Sequence, residues 1–102
     1  PEHCLPFLRL LTEEVLGKDA APDEAMQTRL MNTTHEIVEI ILDEAKIPGF
    51  WKPARISDQE RLQGRLFEEL FGSKLLGAAK AEAAVDKLLE LARANHERLM
   101  RL

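Results

Sequence analysis

Apolar residues recur along this chain at the spacing of helix faces, with almost no strict alternation of the kind a half-buried strand needs. Cys4, Leu8, Leu11 and Val15 step by 4, 3 and 4, and Phe7 widens the same face. The spacing predicts a first helix over about His3 to Leu16. Pro6 falls in its first turn, where a missing N–H costs little. Gly17 is placed to end it, and Lys18-Asp19-Ala20-Ala21-Pro22 reads as a turn. Met26, Leu30, Thr33, Ile37, Ile40 and Glu44 step by 4, 3, 4, 3 and 4, and Val38, Ile41 and Ala45 thicken that stripe. A second helix over about Asp23 to Lys46 follows, with Asp23 at its start. Ile37 to Leu42 is rich in branched residues and by itself would favour a strand. The long amphipathic frame outweighs it. Asn32-Thr33-Thr34 forms helix poorly and marks a possible restart.

Pro48-Gly49-Phe50-Trp51-Lys52-Pro53 is the clearest break, since two prolines and a glycine cannot continue a helix. It is also an unusual loop. Phe50 and the chain's one Trp need somewhere to be buried. A third helix is predicted over about Asp58 to Phe71, with Ser57 as N-cap and Glu60 completing a capping box. Leu62, Leu66, Phe67, Leu70 and Phe71 form its apolar face, and Gly72 ends it. Leu75 and Leu76 are expected to tuck inward from a short connector. Ala78, Ala81, Val85, Leu88, Ala92, Asn95, Leu99 and Leu102 then step by 3, 4, 3, 4, 3, 4 and 3, predicting a last helix to the chain end. The expected fold is all-α. It is a four-helix, up-down-like bundle over residues 1–102, with an aromatic Pro/Gly loop between the second and third helices. No tandem repeat points to a solenoid.

Composition narrows the class. A chain of 102 residues suits one domain and is too short for two independent cores. With 45% hydrophobic and 31% charged residues it is foldable, neither disordered nor membrane-like. A single Cys rules out an intrachain disulfide and a Cys-based zinc cluster. No apolar run is long enough to span a bilayer, so the expected setting is cytoplasmic, with no membrane partner. The sequence starts at Pro1, which reads as a domain-sized piece of a longer subunit.

The net charge of −4 conceals an asymmetry. Residues 1–45 hold ten acidic and three basic residues, and residues 46–102 hold eight acidic and eleven basic. Lys46, Lys52, Arg55, Arg61 and Arg65 surround the aromatic loop. Such a cluster suits nucleic-acid phosphates or an acidic partner. The simpler reading, preferred here, is that it pairs with the acidic first half of the same domain.

Motifs for catalysis fail on their residues. His35-Glu36-Ile37-Val38-Glu39 has the start of a zinc-protease HExxH helix, but Glu39 replaces the second His. An ordinary His35–Glu39 contact is expected there. Asn32 precedes His35 and Arg93 precedes His96 by three, so neither forms the Glu-x-x-His pair of di-iron bundles. Cys4 neighbours His3, but adjacent helical residues point apart, and a buried structural thiol is expected. No glycine-rich phosphate loop is present. Phe50 and Trp51 either cap the core or anchor another protein, and flanking arginines are typical of binding hot spots. Asn95 either fixes register in the last seam or sits where that seam is wet. The seam could also pair two copies.

Three stretches together resemble a known family. They are Pro48-Gly49-Phe50-Trp51-Lys52-Pro53, then Gln59-Glu60-Arg61-Leu62-Gln63-Gly64-Arg65-Leu66, then Leu88 through Leu99 with its Asn95-His96 pair. Glu14-Val15-Leu16-Gly17-Lys18 also fits. The chain resembles, from about Leu8 to Leu99, the C-terminal end of the R (restriction and translocation) subunit of type I restriction enzymes. The resemblance implies a parent subunit that is an ATP-driven DNA translocase and endonuclease using ATP and Mg. It lends this chain no catalytic, cofactor or metal residue. It implies a non-catalytic assembly domain that docks the motor subunit onto the methyltransferase and specificity subunits. The contact residues expected from the aromatic loop and basic cluster are Phe50, Trp51, Lys52, Arg55, Arg61 and Arg65. The alternative is an accessory DNA-contacting module using the basic cluster over residues 46–65.

Overall fold

A computed structural model describes residues 2–102. Its elements are α1 (Leu5–Leu16), α2 (Glu24–Glu44), α3 (Ile56–Gly72), α4 (Ala78–Ala94) and the short α5 (His96–Met100). Short 3-10 turns stand at Glu2–Cys4 and Pro53–Arg55, and no strand occurs among the described residues. α1 packs on α2 and α4, α2 packs on α3, and α3 packs on α4, so the contacts of the four long helices close into a ring. The radius of gyration is 13.3 Å, close to the ~13 Å of a compact 100-residue domain.

Local chemistry sets the element boundaries. α1 starts two residues later than the apolar stripe predicts, after a 3-10 turn. Pro6 has no N–H to reach back to Glu2, so the first turn cannot close as α. Gly17 does end α1, at φ +92°, with its N–H on the Glu13 carbonyl at 2.8 Å. The Asp23 carboxylate accepts the Met26 N–H at 2.8 Å and caps α2. α2 runs without a break through Asn32-Thr33-Thr34. Thr33 and Thr34 are both buried there, so packing overrides their weak propensity.

Two expectations are corrected. Ser57 is not the N-cap of α3. The helix begins at Ile56, and Arg55 at the cap position makes no side-chain cap bond. The preceding 3-10 turn delivers the chain already wound, with the Ile56 N–H on the Pro53 carbonyl. Backbone groups thus do the work of a capping box. The last helix is not continuous either. Asn95 stands between α4 and α5 at φ −107°, ψ 14°, and its side-chain Nδ2 donates to the Leu91 carbonyl at 2.8 Å. The Leu91 carbonyl also keeps the Asn95 backbone N–H at 3.0 Å, and α5 follows with the Leu99 N–H on the Asn95 carbonyl. At the end of α3, Gly72 is the last helical residue, and the left-handed position is taken by Lys74 at φ +63°.

The core is built from leucines and small residues at helical spacing. Leu62, Leu66 and Leu70 on α3 are fully buried, as are Leu11, Ile41 and Leu88. Ala81, Ala84 and Ala92 let α4 approach its neighbours closely. Of the predicted last-helix seam, Ala81, Val85, Leu88, Ala92 and Leu99 are buried in the core, whereas Ala78 and Leu102 at its two ends are exposed. Among the described residues no helix is long and apolar enough to cross a membrane.

Candidate functional site

The aromatic loop is a chain of tight turns. Gly49 takes φ +69°, which an L side chain rarely adopts. Turn bonds run from Phe50 N–H to the Ile47 carbonyl and from Lys52 N–H to the Gly49 carbonyl, at 3.1 and 3.0 Å. This geometry sends the two aromatic rings in different directions. Phe50 is 1% exposed and plugs the core. Trp51 is half-buried, meeting the Phe50 ring edge-on at 4.8 Å between centroids.

Two side chains from other elements fix the loop. Gln59, early in α3, donates through Nε2 to the Phe50 carbonyl at 2.8 Å and to the Lys52 carbonyl at 3.0 Å. Both amide hydrogens are thereby used on the loop backbone. The Trp51 indole N–H donates to His96 Nδ1 at 3.2 Å, with the rings edge-to-face at 6.5 Å. An indole N–H can only donate, so this bond needs an unprotonated Nδ1. Gln59 and His96 hold the loop, and the helical spacing of the sequence singles out neither. In the sequence Gln59 lies inside the expected capping box, and His96 stands out only for lacking a Glu-x-x-His spacing and for its place beside Asn95. Their presence in the stretches that carry the resemblance was the available signal.

Beside this knot lies a charge network joining the end of α2 to the start of α3. Arg65 donates to Asp43 and Glu44, both at 2.8 Å, and Arg61 donates to Glu44 at 3.1 Å and also to Asp58. Arg55 faces Asp58 at 3.6 Å and Lys46 faces Asp43 at 3.7 Å. The hydrogen bond from Arg65 is the main influence holding the Asp43 carboxyl below its ordinary value, helped by the charge of Lys46. The hydrogen bonds that Arg61 and Arg65 donate to Glu44, then to Asp58 and Asp43 respectively, push both guanidinium groups upward.

The six expected contact residues therefore separate. Phe50 is a correction: at 1% exposure it has no surface to offer a partner, because the turn at Gly49 points its ring into the core. Trp51 offers only part of its ring. Arg55, Arg61 and Arg65 are exposed or half-exposed but engaged with carboxylates of the same chain: Arg61 and Arg65 reach Glu44 and Asp43 of the acidic first half, whereas Arg55 faces Asp58 of the basic half. Among the described residues, Lys52 alone of the six is an exposed cation outside any ion pair.

Elsewhere, His35 and Glu39 meet at 3.8 Å on an exposed face, the ordinary contact expected of them. Among the described residues no group of three His, Cys, Asp or Glu side chains is placed to hold a metal ion. Cys4 is half-buried, at the edge of the core and not inside it, because it precedes α1 on the 3-10 turn. A cavity of about 620 Å³ lies between α1 and α2. Leu5, Leu8, Leu30 and Met31 line it with the mixed charges of Arg9, Glu13, Lys18 and Asp19, which converge on no common point of chemistry. No family model, curated protein or solved structure matches the chain.

Proposed function

We propose that this chain is a non-catalytic assembly domain that works by contact, as the C-terminal helical part of a type I restriction enzyme R subunit. In this reading the four long helices form an up-down bundle, consistent with short connectors and a closed ring of contacts. The bundle docks a cytoplasmic, ATP- and Mg-dependent DNA translocase and endonuclease onto the methyltransferase and specificity subunits.

One observation carries the reading. The three stretches behind the resemblance are separated in sequence, yet their distinctive polar residues meet. Gln59 of the second stretch and His96 of the third both bind the Phe50-Trp51-Lys52 backbone or ring of the first. Packing residues alone would recur in many helical proteins. A loop, a glutamine and a histidine that bind one another form a linked set, and that set spans the three stretches from which the resemblance was read.

The DNA-contacting alternative has less support. Lys46, Arg55, Arg61 and Arg65 spend their charge on Asp43, Glu44 and Asp58. A phosphate would have to displace those carboxylates first. The deciding experiment is co-purification of this chain with the methyltransferase and specificity subunits of a type I system from the same source. A stable complex is expected. Absence of a complex, together with duplex DNA binding that weakens steeply with salt, would replace assembly by the DNA module.

A further inference from the structure

Glycine in the middle of an exposed helix is destabilising relative to alanine, and it normally has a backbone reason. Gly64, in the interior of α3, has none. Its φ is not positive, and a Cβ built on it would meet nothing within 4 Å. The missing side chain leaves a notch between α3 and α4. It opens into a cavity of about 420 Å³ lined by Glu60, Gln63, Gly64 and Phe67 from α3 and by Glu82 and Val85 from α4. Glu60, Gly64, Phe67 and Phe71 step by 4, 3 and 4 and so share one face of α3. Phe71 stacks on Phe67 at 5.6 Å and remains 50% exposed, which extends the apolar floor into solvent.

The rim of this groove is acidic. Glu60 and Glu82 take part in none of the ion pairs formed among the described residues, so both carboxylates are available to a cationic partner. A stacked Phe67–Phe71 pair, two unpaired carboxylates and a residue without a side chain fit one kind of ligand. We propose that the Gly64 groove receives an amphipathic α-helix of a partner protein, with its apolar ridge over Gly64 and Phe67 and Lys or Arg on its flanks to meet Glu60 and Glu82. A helix is favoured because the groove between two packed helices accepts the side-chain ridge of a third. The stripe from Glu60 to Phe71 is about 16 Å long at ~1.5 Å per residue, which sets a footprint of about three turns. Nucleic acid and acidic peptides are repelled by the same rim. This proposal deepens the assembly reading and rests on it for the partner's identity, but the groove itself is testable alone.

The probe is a synthetic helical peptide of Ala, Leu and Lys with one Leu stripe flanked by Lys, compared with its Glu-for-Lys counterpart. Binding is followed on the intact chain by amide chemical shifts. The Lys peptide is expected to perturb Gly64 and Phe67 and the Glu peptide to leave them unmoved. Gly64→Leu should weaken binding at least tenfold while leaving the chain folded, because the new side chain enters open space. Gly64→Ala should raise the melting temperature yet weaken binding several-fold, a combination that loss of fold cannot produce. Glu60→Lys with Glu82→Lys should weaken binding at least tenfold and flatten its salt dependence. Equal binding of both peptides, or of wild type and Gly64→Leu, overturns the proposal. Self-association of the wild type that Gly64→Leu abolishes would assign the groove to a second copy and also overturn it. Failure of co-purification with the methyltransferase core, with Lys-peptide binding intact, would sink the restriction-enzyme reading and leave the groove standing.

Discussion

Gln59 makes the clearest argument about single side chains. One amide spans two loop carbonyls, so Gln59→Ala leaves both without this donor. A net hydrogen bond contributes about 1 kcal/mol, and the expected loss is about 1–2 kcal/mol in denaturant unfolding, with Gln59→Glu no better because a carboxylate cannot donate. His96 is tested differently. Trp51 is the only Trp and there is no Tyr, so intrinsic emission reports on this site. His96→Leu removes the indole's acceptor and should shift that emission, whereas His96→Gln, which restores an acceptor, should shift it less. Identical spectra for wild type and His96→Leu would show the Trp51–His96 bond to be unformed in solution. None of this was readable one residue at a time. Phe50 and Trp51 look equivalent in sequence, and only the turn at Gly49 decides that one plugs the core while the other keeps a polar handle outside it.

Helix identities were largely legible, because burying one stripe fixes the spacing of apolar residues whatever the neighbours are. The ends were less so. Ser57 looks like a cap until the 3-10 turn at Pro53–Arg55 supplies the carbonyl that the first helical N–H needs. Asn95 looks like a seam residue until its amide takes the Leu91 carbonyl. The joint between α2 and α3 has a pH signature. Asp43 is held below its ordinary value of 3.8, chiefly by the Arg65 hydrogen bond. A lowered folded-state value means this contribution is fully present above pH ~4 and is lost as the pH falls further, when the unfolded chain binds protons first. Arg65→Gln should therefore be less stable than wild type at pH 7. The gap between the two should narrow below pH 4 in acid-unfolding curves. A gap that stays constant would mean the pairs contribute nothing, as many exposed pairs do.

The molecule as a whole closes its own seams. Ala81, Val85, Leu88, Ala92 and Leu99 would make an obvious dimer stripe on an isolated helix, but here they are all buried within one chain. The expected outcome is a monomer. Sedimentation at several concentrations up to about 1 mM, near the millimolar end of weak association, should show a constant mass. Dimer formation that survives Gly64→Leu would require the seam to open.

The sequence by itself determined that this protein is helical, where its long helices lie, and that its charges divide into an acidic first half and a basic second half. Those properties follow from local spacing and composition, which do not depend on what packs against what. Only the tertiary structure decided that the two halves meet where Arg61 and Arg65 reach Asp43 and Glu44. It also decided that Gln59 and His96 secure the aromatic loop, and that the bare backbone at Gly64 faces an unfilled groove. These are relations between residues distant in the chain. Their energy comes from proximity that folding creates, and no local pattern encodes which partner will be there.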